Sequence, residues 1–287
     1  MKKVILLAEI DYNSYSSRRF REECNKKNIA FEHFKYSDII IEFRDNKLIA
    51  TAKGKNVLDG THYIFRSSGS KYKHLSQSLR NYLQSMNKIV LNGSFKYPFS
   101  LKLDTYAKLS LYNVPIINTH VFPTIEALEQ NAYKIKFPVI LKHSSKSLGM
   151  EIYKVNSLEE LKSKLNDHIS KYMFQDFVDT GEIKESYRII TLGYEIIGGY
   201  KRIAKKNAIV TNSGSAIEKV HIAPNMYEIC KLIIKATGLE FSGIDIIYKD
   251  EKPLVLEVNS SPGFKAFEEI TKINLAEKIL NYLLSKS

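Results

Sequence analysis

Short apolar runs alternate with mixed-polarity stretches through the first third of the chain. Val4 to Ala8 is unbroken apolar sequence, as expected of a strand covered on both faces. Ser14 to Lys27 is polar and helix-like, and Ile29 to Phe34 returns to strand character. Asp38 to Ile41 and Lys47 to Thr51 predict short strands about a turn at Asp45-Asn46. Thr61 to Arg66 predicts a further strand, ending in Ser67-Ser68-Gly69-Ser70. Leu75 to Met86 is helical and Ile89 to Leu91 is a strand. This alternation predicts an α/β domain with a parallel sheet, assigned to residues 1–95. No GxGxxG follows the first strand, so the dinucleotide fingerprint is absent.

Asn92 to Ser100 is rich in Gly, Ser, Asn and Pro and reads as a boundary loop. Leu101 to Tyr112 is then helical, ending at Asn113-Val114-Pro115. Phe137 to Lys142 is a buried strand closing on a lysine, and Ser157 precedes Leu158-Glu159-Glu160 with capping-box spacing. Residues 96–174 form a second unit. A third, 175–287, holds strands at Tyr187 to Leu192, Glu195 to Arg202, Gly243 to Tyr248 and Leu254 to Val258. Helices are expected at Asn225 to Thr237 and Leu275 to Leu284.

Composition narrows the class. With 287 residues and 44% hydrophobic content, the chain can bury a sizeable core. It has no run of about 18 apolar residues, so no membrane span is expected. Lys2-Lys3 before an apolar run resembles a signal peptide, but Glu9 and Asp11 end that run too early. The two cysteines, Cys24 and Cys230, form no framework, which fits a reducing, cytoplasmic setting. The net charge of +12 fits either general solubility or an anionic partner. No RNP, zinc-finger or basic-heptad pattern accompanies it, so nucleic acid is not the expected partner.

The informative chemistry lies near the C-terminus. Asp245 interrupts the apolar stretch Gly243 to Ile247, and a carboxylate there is costly to bury without compensation. Glu257 and Asn259 are two apart on the following strand and therefore share a face. Two carboxylates and an amide oxygen make a hard oxygen site suited to Mg²⁺. The alternative is a pair of strand acids neutralised by lysines.

Further candidates are individually weak. Lys142 ends a strand before Ser144-Ser145-Lys146-Ser147-Leu148-Gly149, whose small residues would let the backbone approach phosphate oxygens. Lys102 starts a helix. Gln175-Asp176-Phe177-Val178 could offer backbone groups to an adenine edge, or be an ordinary connection. Arg188 and Arg202 lie in apolar strand sequence, where a guanidinium needs an anionic partner. Lys201 to Lys206 concentrates positive charge beside the proposed metal site. Arg66, ending a strand before a Ser-Gly loop, is either a substrate contact or a solvated arginine.

As an ordered set, these segments resemble the ATP-grasp superfamily, and in particular the RimK-type α-L-glutamate ligases. Lys102, Phe137 to Lys142 with its loop to Gly149, and Gln175 to Val178 carry the resemblance first. Tyr187-Arg188-Ile189, Lys201-Arg202, and Asn212 with Gly214 follow. The most specific segments are Ser242 to Asp245 and Glu257-Val258-Asn259-Ser260-Ser261-Pro262-Gly263. Asp176 departs from the Glu common in such hinges. Ser186 stands where an acidic ribose contact is common, and Glu185 beside it is the candidate substitute. Val210 and Thr211 stand where basic residues often precede Asn212.

The resemblance implies an α/β (α+β) ATP-grasp fold with a central lid subdomain. It implies ATP binding by Lys102, Lys142, Ser147, Gly149, Gln175, Asp176, Phe177, Val178, Ser186 and Asn212. It further implies two Mg²⁺ ions, replaceable by Mn²⁺, on Asp245, Glu257 and Asn259, and catalytic roles for Lys142 and Arg202. Substrate contacts fall to Arg66, Arg188, Arg202 and Ser261. The expected activity is carboxylate–amine ligation through an acyl-phosphate, on an acidic amino acid, a peptide or a protein tail. Related ligases often self-associate, so a homo-oligomer is compatible. A regulatory ATP-binding module and a carboxylate–thiol ligase on the same fold are the alternatives.

Overall fold

A computed structural model of the chain describes residues 2–69, 71–93, 102–144, 152–165, 169–179, 184–204 and 216–286. The first apolar run forms β1 (Lys3–Ala8), followed by α1 (Tyr15–Lys26) and β2 (Ala30–Phe34). The short strands β3 (Ile39–Arg44), β4 (Lys47–Ala52) and β5 (Lys55–Asn56) make a separate antiparallel sheet. Asp45 and Asn46 turn β3 into β4 with φ of 50° and 60°, the left-handed pair a two-residue hairpin requires. Then β6 (His62–Arg66), α2 (Lys73–Ser85) and β7 (Ile89–Val90) complete a parallel sheet of order β2-β1-β6-β7.

Both faces of that sheet are covered, which explains the unbroken run. Val4, Leu6 and Ala8 pack into one core and Ile5 and Leu7 into another, as strand alternation requires. Leu79 and Leu83 of α2 lie in the second core.

The middle of the chain contributes α3 (Lys102–Leu111), β8 (Thr119–His120), α4 (Ile125–Gln130), β9 (Val139–His143), β10 (Ile152–Val155), α5 (Leu158–Lys164) and β11 (Tyr172–Asp176). Its strands form an antiparallel sheet of order β10-β9-β11-β8. The sheet closes over Leu128, Leu141, Leu161 and Phe174. The Ser157 hydroxyl accepts from Glu160 N–H at 3.1 Å, so the N-cap forms as its spacing predicts. The reciprocal bond is displaced by one residue: Asn156 N–H donates to the Glu160 carboxylate at 2.8 Å.

The last third supplies β12 (Lys184–Leu192), β13 (Glu195–Ala204), β14 (Ala216–Lys219), α6 (Pro224–Thr237), β15 (Phe241–Lys249), β16 (Lys252–Asn259), α7 (Lys265–Thr271) and α8 (Leu275–Leu284). The strands make an antiparallel sheet of order β14-β13-β12-β15-β16. Pro224 opens α6, and Gly238, at φ 63°, ends it by donating to the Ile234 carbonyl. Ile229 and Ile233 of α6 cover Ile189, Ile244 and Ile246, while the opposite face carries the polar residues at one end and Ile190, Leu192, Tyr200 and Phe241 at the other. Phe267, Ile279 and Leu283 of α7 and α8 join Val4, Leu6 and Phe20 in a shared core. Among the described residues, no helix is long and apolar enough to cross a membrane.

Asn92 stitches the first sheet to the last. Its side-chain amide donates to the carbonyls of Phe241 and Ser260 at 2.7 and 2.9 Å and accepts from Phe241 N–H at 2.9 Å. Its backbone N–H donates to Glu240 at 2.8 Å. The residue is 5% exposed and sits at φ 54°, a conformation asparagine tolerates well. Asn92→Ala removes three buried hydrogen bonds and strains the backbone. A loss of about 2–4 kcal/mol in urea-unfolding free energy is expected. A loss under about 0.5 kcal/mol would show that the clasp carries no load.

Candidate active site

Strand register gathers the predicted residues. Arg188 on β12 lies opposite Asp245 on one side and Tyr200 on the other. Asp245 lies opposite Glu257, Gly243 opposite Asn259, and Ser186 opposite Arg202. Directly paired residues share a face, so Ser186, Arg188, Arg202, Asp245, Glu257 and Asn259 all stand on the side of the sheet away from α6. The register shifts after Asp245, where Ile246 pairs with Val255 and Leu256 becomes the extra residue of a bulge. The Leu256 carbonyl, turned out of the ladder, accepts from the Tyr106 hydroxyl at 2.8 Å.

Burial of Asp245, 8% exposed, is compensated directly. Arg188 donates from Nε to Oδ1 at 2.6 Å and from Nη2 to Oδ2, a bidentate pair. Burial pulls the Arg188 pKa down, but the Asp245 charge and hydrogen bonds outweigh it and hold the guanidinium firmly charged. The Asn259 amide reaches Asp245 Oδ2 at 3.5 Å. Glu257 stands beside them, 3.9 Å from Lys102 Nζ.

Across from this face, α3 and β9 present the two lysines. The backbone bond from Lys102 N–H to the Ser144 carbonyl, 3.4 Å, draws the start of α3 to the end of β9. Lys102, Tyr106, Lys142, Gln175 and Glu257 line a partly open pocket with Ile152, Met173 and Leu256. Burial, and then the neighbouring Lys102 charge, lower the Lys142 pKa to about 8, against opposing pulls from Glu257 and Asp245. The Gln175 amide donates to Tyr106 Oη at 2.9 Å and to Thr119 Oγ1 at 3.0 Å, while its Oε1 is buried without a partner.

Beyond Gln175 the hinge is partly committed. Asp176 N–H donates to the Asn118 carbonyl at 3.0 Å and Phe177 N–H to the Pro138 carbonyl at 3.3 Å. The Asp176 carboxylate accepts from Asn118 Nδ2 at 2.8 Å, and Lys154 Nζ lies 3.9 Å from the Phe177 ring centroid. Val178 follows them outside the strand. Arg202 donates to the Tyr200 hydroxyl at 3.1 Å. Ser147, Gly149 and Asn212 lie outside the described residues, as do Lys205 and Lys206.

Three expectations are corrected. Lys201 adds no charge beside Asp245, because strand alternation turns it to the other face, where it pairs with Glu185 and Glu218 at 3.1 Å each. Glu185 points the same way and accepts from the Tyr187 hydroxyl at 2.8 Å, so it does not stand in for Ser186. Arg66 is not solvated: it is 6% exposed and donates to the Pro262 carbonyl at 2.7 Å. Pro262 in turn packs so closely on β15 that a Cβ at Gly243 would lie 2.7 Å from its own Cβ, which is why a glycine stands there. Ser261 Oγ is buried without a partner. Tyr106 and Thr119 were missed from sequence. Tyr106 lies one helical turn beyond Lys102, so i,i+4 spacing could have found it, whereas Thr119 carried no signal.

Among the described residues, no group of three His, Cys, Asp or Glu could hold a metal ion. Asp245, Glu257 and Asn259 bring two carboxylates and one carboxamide to one face, whose oxygens are hard donors of the kind Mg²⁺ takes, while Arg188 holds both Asp245 oxygens and Asn259 turns its Nδ2 to Asp245.

Residues 100–283 match the model of the RimK-like ATP-grasp domain, more than half of the chain. The chain belongs to the RimK-like ATP-grasp family. A coenzyme gamma-F420-2:alpha-L-glutamate ligase of Methanococcus maripaludis is 33% identical over 156 residues, covering 52% of this chain and 54% of that protein. The chain thus spans about half the length of that curated relative. A probable alpha-L-glutamate ligase of Legionella pneumophila is 25% identical over 228 residues, covering 76% of this chain and 74% of its own. Among solved structures, the ATP-grasp ligase PsnB complexed with minimal precursor shares the fold. Its TM-score is 0.74 at 14% identity, over 99% of this chain and 98% of that one. RimK-like ATP-grasp enzymes use ATP and Mg²⁺, which agrees with the lysine pair and the oxygen donors described above.

The Arg188–Asp245 pair gives a test of how this face is held. Arg188→Met leaves a buried carboxylate uncompensated and should cost about 3–5 kcal/mol in chemical unfolding. Adding Asp245→Leu should restore most of that loss. A single variant as stable as wild type would mean that water, not Arg188, compensates Asp245.

Proposed function

We propose that this chain is an ATP- and Mg²⁺-dependent carboxylate–amine ligase that forms an amide or peptide bond through an acyl-phosphate. The observation that carries the reading is the facing of Lys102 and Lys142 against Glu257 across one pocket, with Asp245 and Asn259 beside Glu257 on the same face of the sheet. The names of the glutamate ligases it resembles support an acidic amino acid or a peptide with an acidic end as substrate.

In this reading a carboxylate oxygen attacks the γ-phosphorus of ATP, the bond to the ADP oxygen breaks, and an acyl-phosphate forms. An amine nitrogen then attacks the acyl carbon. Inorganic phosphate leaves with the electron pair of the broken C–O bond, and the amine proton passes to solvent. Lys102 and Lys142 offset phosphate charge, and Arg202 faces the transferring group. Such chemistry depends mainly on positioning and electrostatics. Two Mg²⁺ ions on Asp245, Glu257 and Asn259, replaceable by Mn²⁺, would supply further charge compensation.

Gln175 to Val178 take the adenine. With the N–H groups of Asp176 and Phe177 bonded internally, the Gln175 carboxamide oxygen and Val178 are the groups left to meet it. Ser186 lies on the sheet face of the nucleotide, and Ser147, Gly149 and Asn212 complete the phosphate contacts. The chain divides functionally into 1–95, 96–174 and 175–287, with ATP between the second and third parts.

Phosphate release with ATP and Mg²⁺, screened over amino acids and short acidic peptides, should rise only when an acid and an amine are both present. Glu257→Ala should lower it by about two orders of magnitude or more. Release independent of any amine would sink the ligase reading. The Lys142 pKa gives a second test. Phosphates favour its protonated form, so ATP affinity should fall as pH rises above about 8. Lys142→Arg, charged throughout, should flatten that profile. Identical pH profiles for wild type and the variant would remove Lys142 from the phosphate site.

A further inference from the structure

Gln175 is 1% exposed, and the bonds of its carboxamide leave one atom over. Nε2 donates one hydrogen to Tyr106 Oη at 2.9 Å and the other to Thr119 Oγ1 at 3.0 Å. Both hydroxyl protons are already spent. Tyr106 donates to the Leu256 carbonyl and Thr119 to the Ile117 carbonyl, each at 2.8 Å. Burial pushes the Tyr106 pKa up to about 12, so its proton stays in place at neutral pH. Each hydroxyl can therefore only accept from Gln175. Turning the carboxamide over would set its oxygen against two oxygens with no proton to offer, or strip two carbonyls of their donors. The carboxamide is locked one way round, and Oε1 is a fixed acceptor.

Oε1 is buried with no partner among the described residues. Folded proteins rarely leave a buried acceptor unpaired without a reason. Gln175 lines the pocket together with the apolar side chains of Ile152, Met173 and Leu256, surroundings suited to the faces of a flat ring. Thr119 stands directly across the ladder from Gln175, and Tyr106 of α3 lines the same pocket. An acceptor that cannot reverse, set beside apolar walls, takes a ring that carries an N–H donor and turns away one that carries an oxygen in its place.

We propose that Tyr106 and Thr119 are positioning residues that fix the polarity of the Gln175 carboxamide, and so make the pocket select a purine by its exocyclic amino group. The proposal rests on the adenine reading of Gln175 and goes beyond it, because the choice of base then belongs to two hydroxyls that need not touch the nucleotide. An unrestrained glutamine could present either end of its carboxamide and would take an amino or an oxo purine alike.

Equilibrium binding to the full chain with Mg²⁺ tests it by comparing ATP with two analogues. Purine riboside triphosphate lacks the amino group, and inosine triphosphate has an oxygen in its place. The wild type should prefer ATP to both by about tenfold or more. Tyr106→Phe combined with Thr119→Val frees the carboxamide. The preference for ATP over purine riboside triphosphate should then fall to within about threefold. Inosine triphosphate should gain on purine riboside triphosphate, because Nε2 can turn to its oxygen. A purely structural role would weaken all three nucleotides by the same factor, and ratios left at wild-type values overturn the proposal. A wild type that does not bind ATP, or binds all three alike, also overturns it. If the double variant loses cooperative thermal unfolding, Tyr106→Phe and Thr119→Val are read singly by the same ratios. Gln175→Leu separates the proposal from the reading beneath it. If that variant loses the preference while the hydroxyl variants keep it, Gln175 reads the base and the positioning role falls. If it keeps the preference, the adenine reading of Gln175 falls too. These ratios are read from binding alone, so a failure of amine-dependent phosphate release would sink the ligase reading and leave them standing.

Discussion

A carboxylate in the middle of an apolar strand has to be neutralised, and the arrangement of the C-terminal sheet follows from how that is done. Asp245 is met across the ladder by Arg188, which uses both arms of its guanidinium. That pairing compensates a buried carboxylate that would otherwise stand without a counter-charge. It also fixes which face of β12 and β15 carries the polar groups. Ile189, Ile244 and Ile246 are then committed to α6, and Ser186, Arg202, Glu257 and Asn259 have only one side on which to stand.

The second constraint is the approach of like charges. Lys142 and Lys102 share a pocket, and their mutual repulsion adds to burial in lowering the Lys142 pKa. Glu257 and Asp245 oppose that effect without cancelling it. The pocket is left with positive potential on one wall and negative on the other. A polyanion accompanied by divalent cations satisfies both walls at once.

Much of this was legible in the sequence because it depends on period and type. The parallel sheet followed from alternating apolar runs, and the Asp45-Asn46 hairpin from turn chemistry. The shared face of Glu257 and Asn259 followed from a spacing of two. Less regular features were not legible. The face taken by Lys201 depends on register with β12, which charge density in the sequence does not report. Arg66 read equally well as solvated because its burial is made by Pro262 and Phe264, almost two hundred residues away. Asn92 looked like a loop residue, and only its long-range partners show it to be a clasp.

The bulge at Leu256 has a consequence for how this region can change. A plain hairpin transmits any change in its turn to every cross-strand pair. Here the unpaired carbonyl of Leu256 is anchored to Tyr106, on a helix outside the sheet, so the ladder is referenced to a fixed external point. The Asp250-Glu251 end can lengthen, shorten or exchange residues while Glu257 keeps its station beside Asp245. Variation is thereby steered to the far end of the hairpin, and the end that carries the acids is insulated from it.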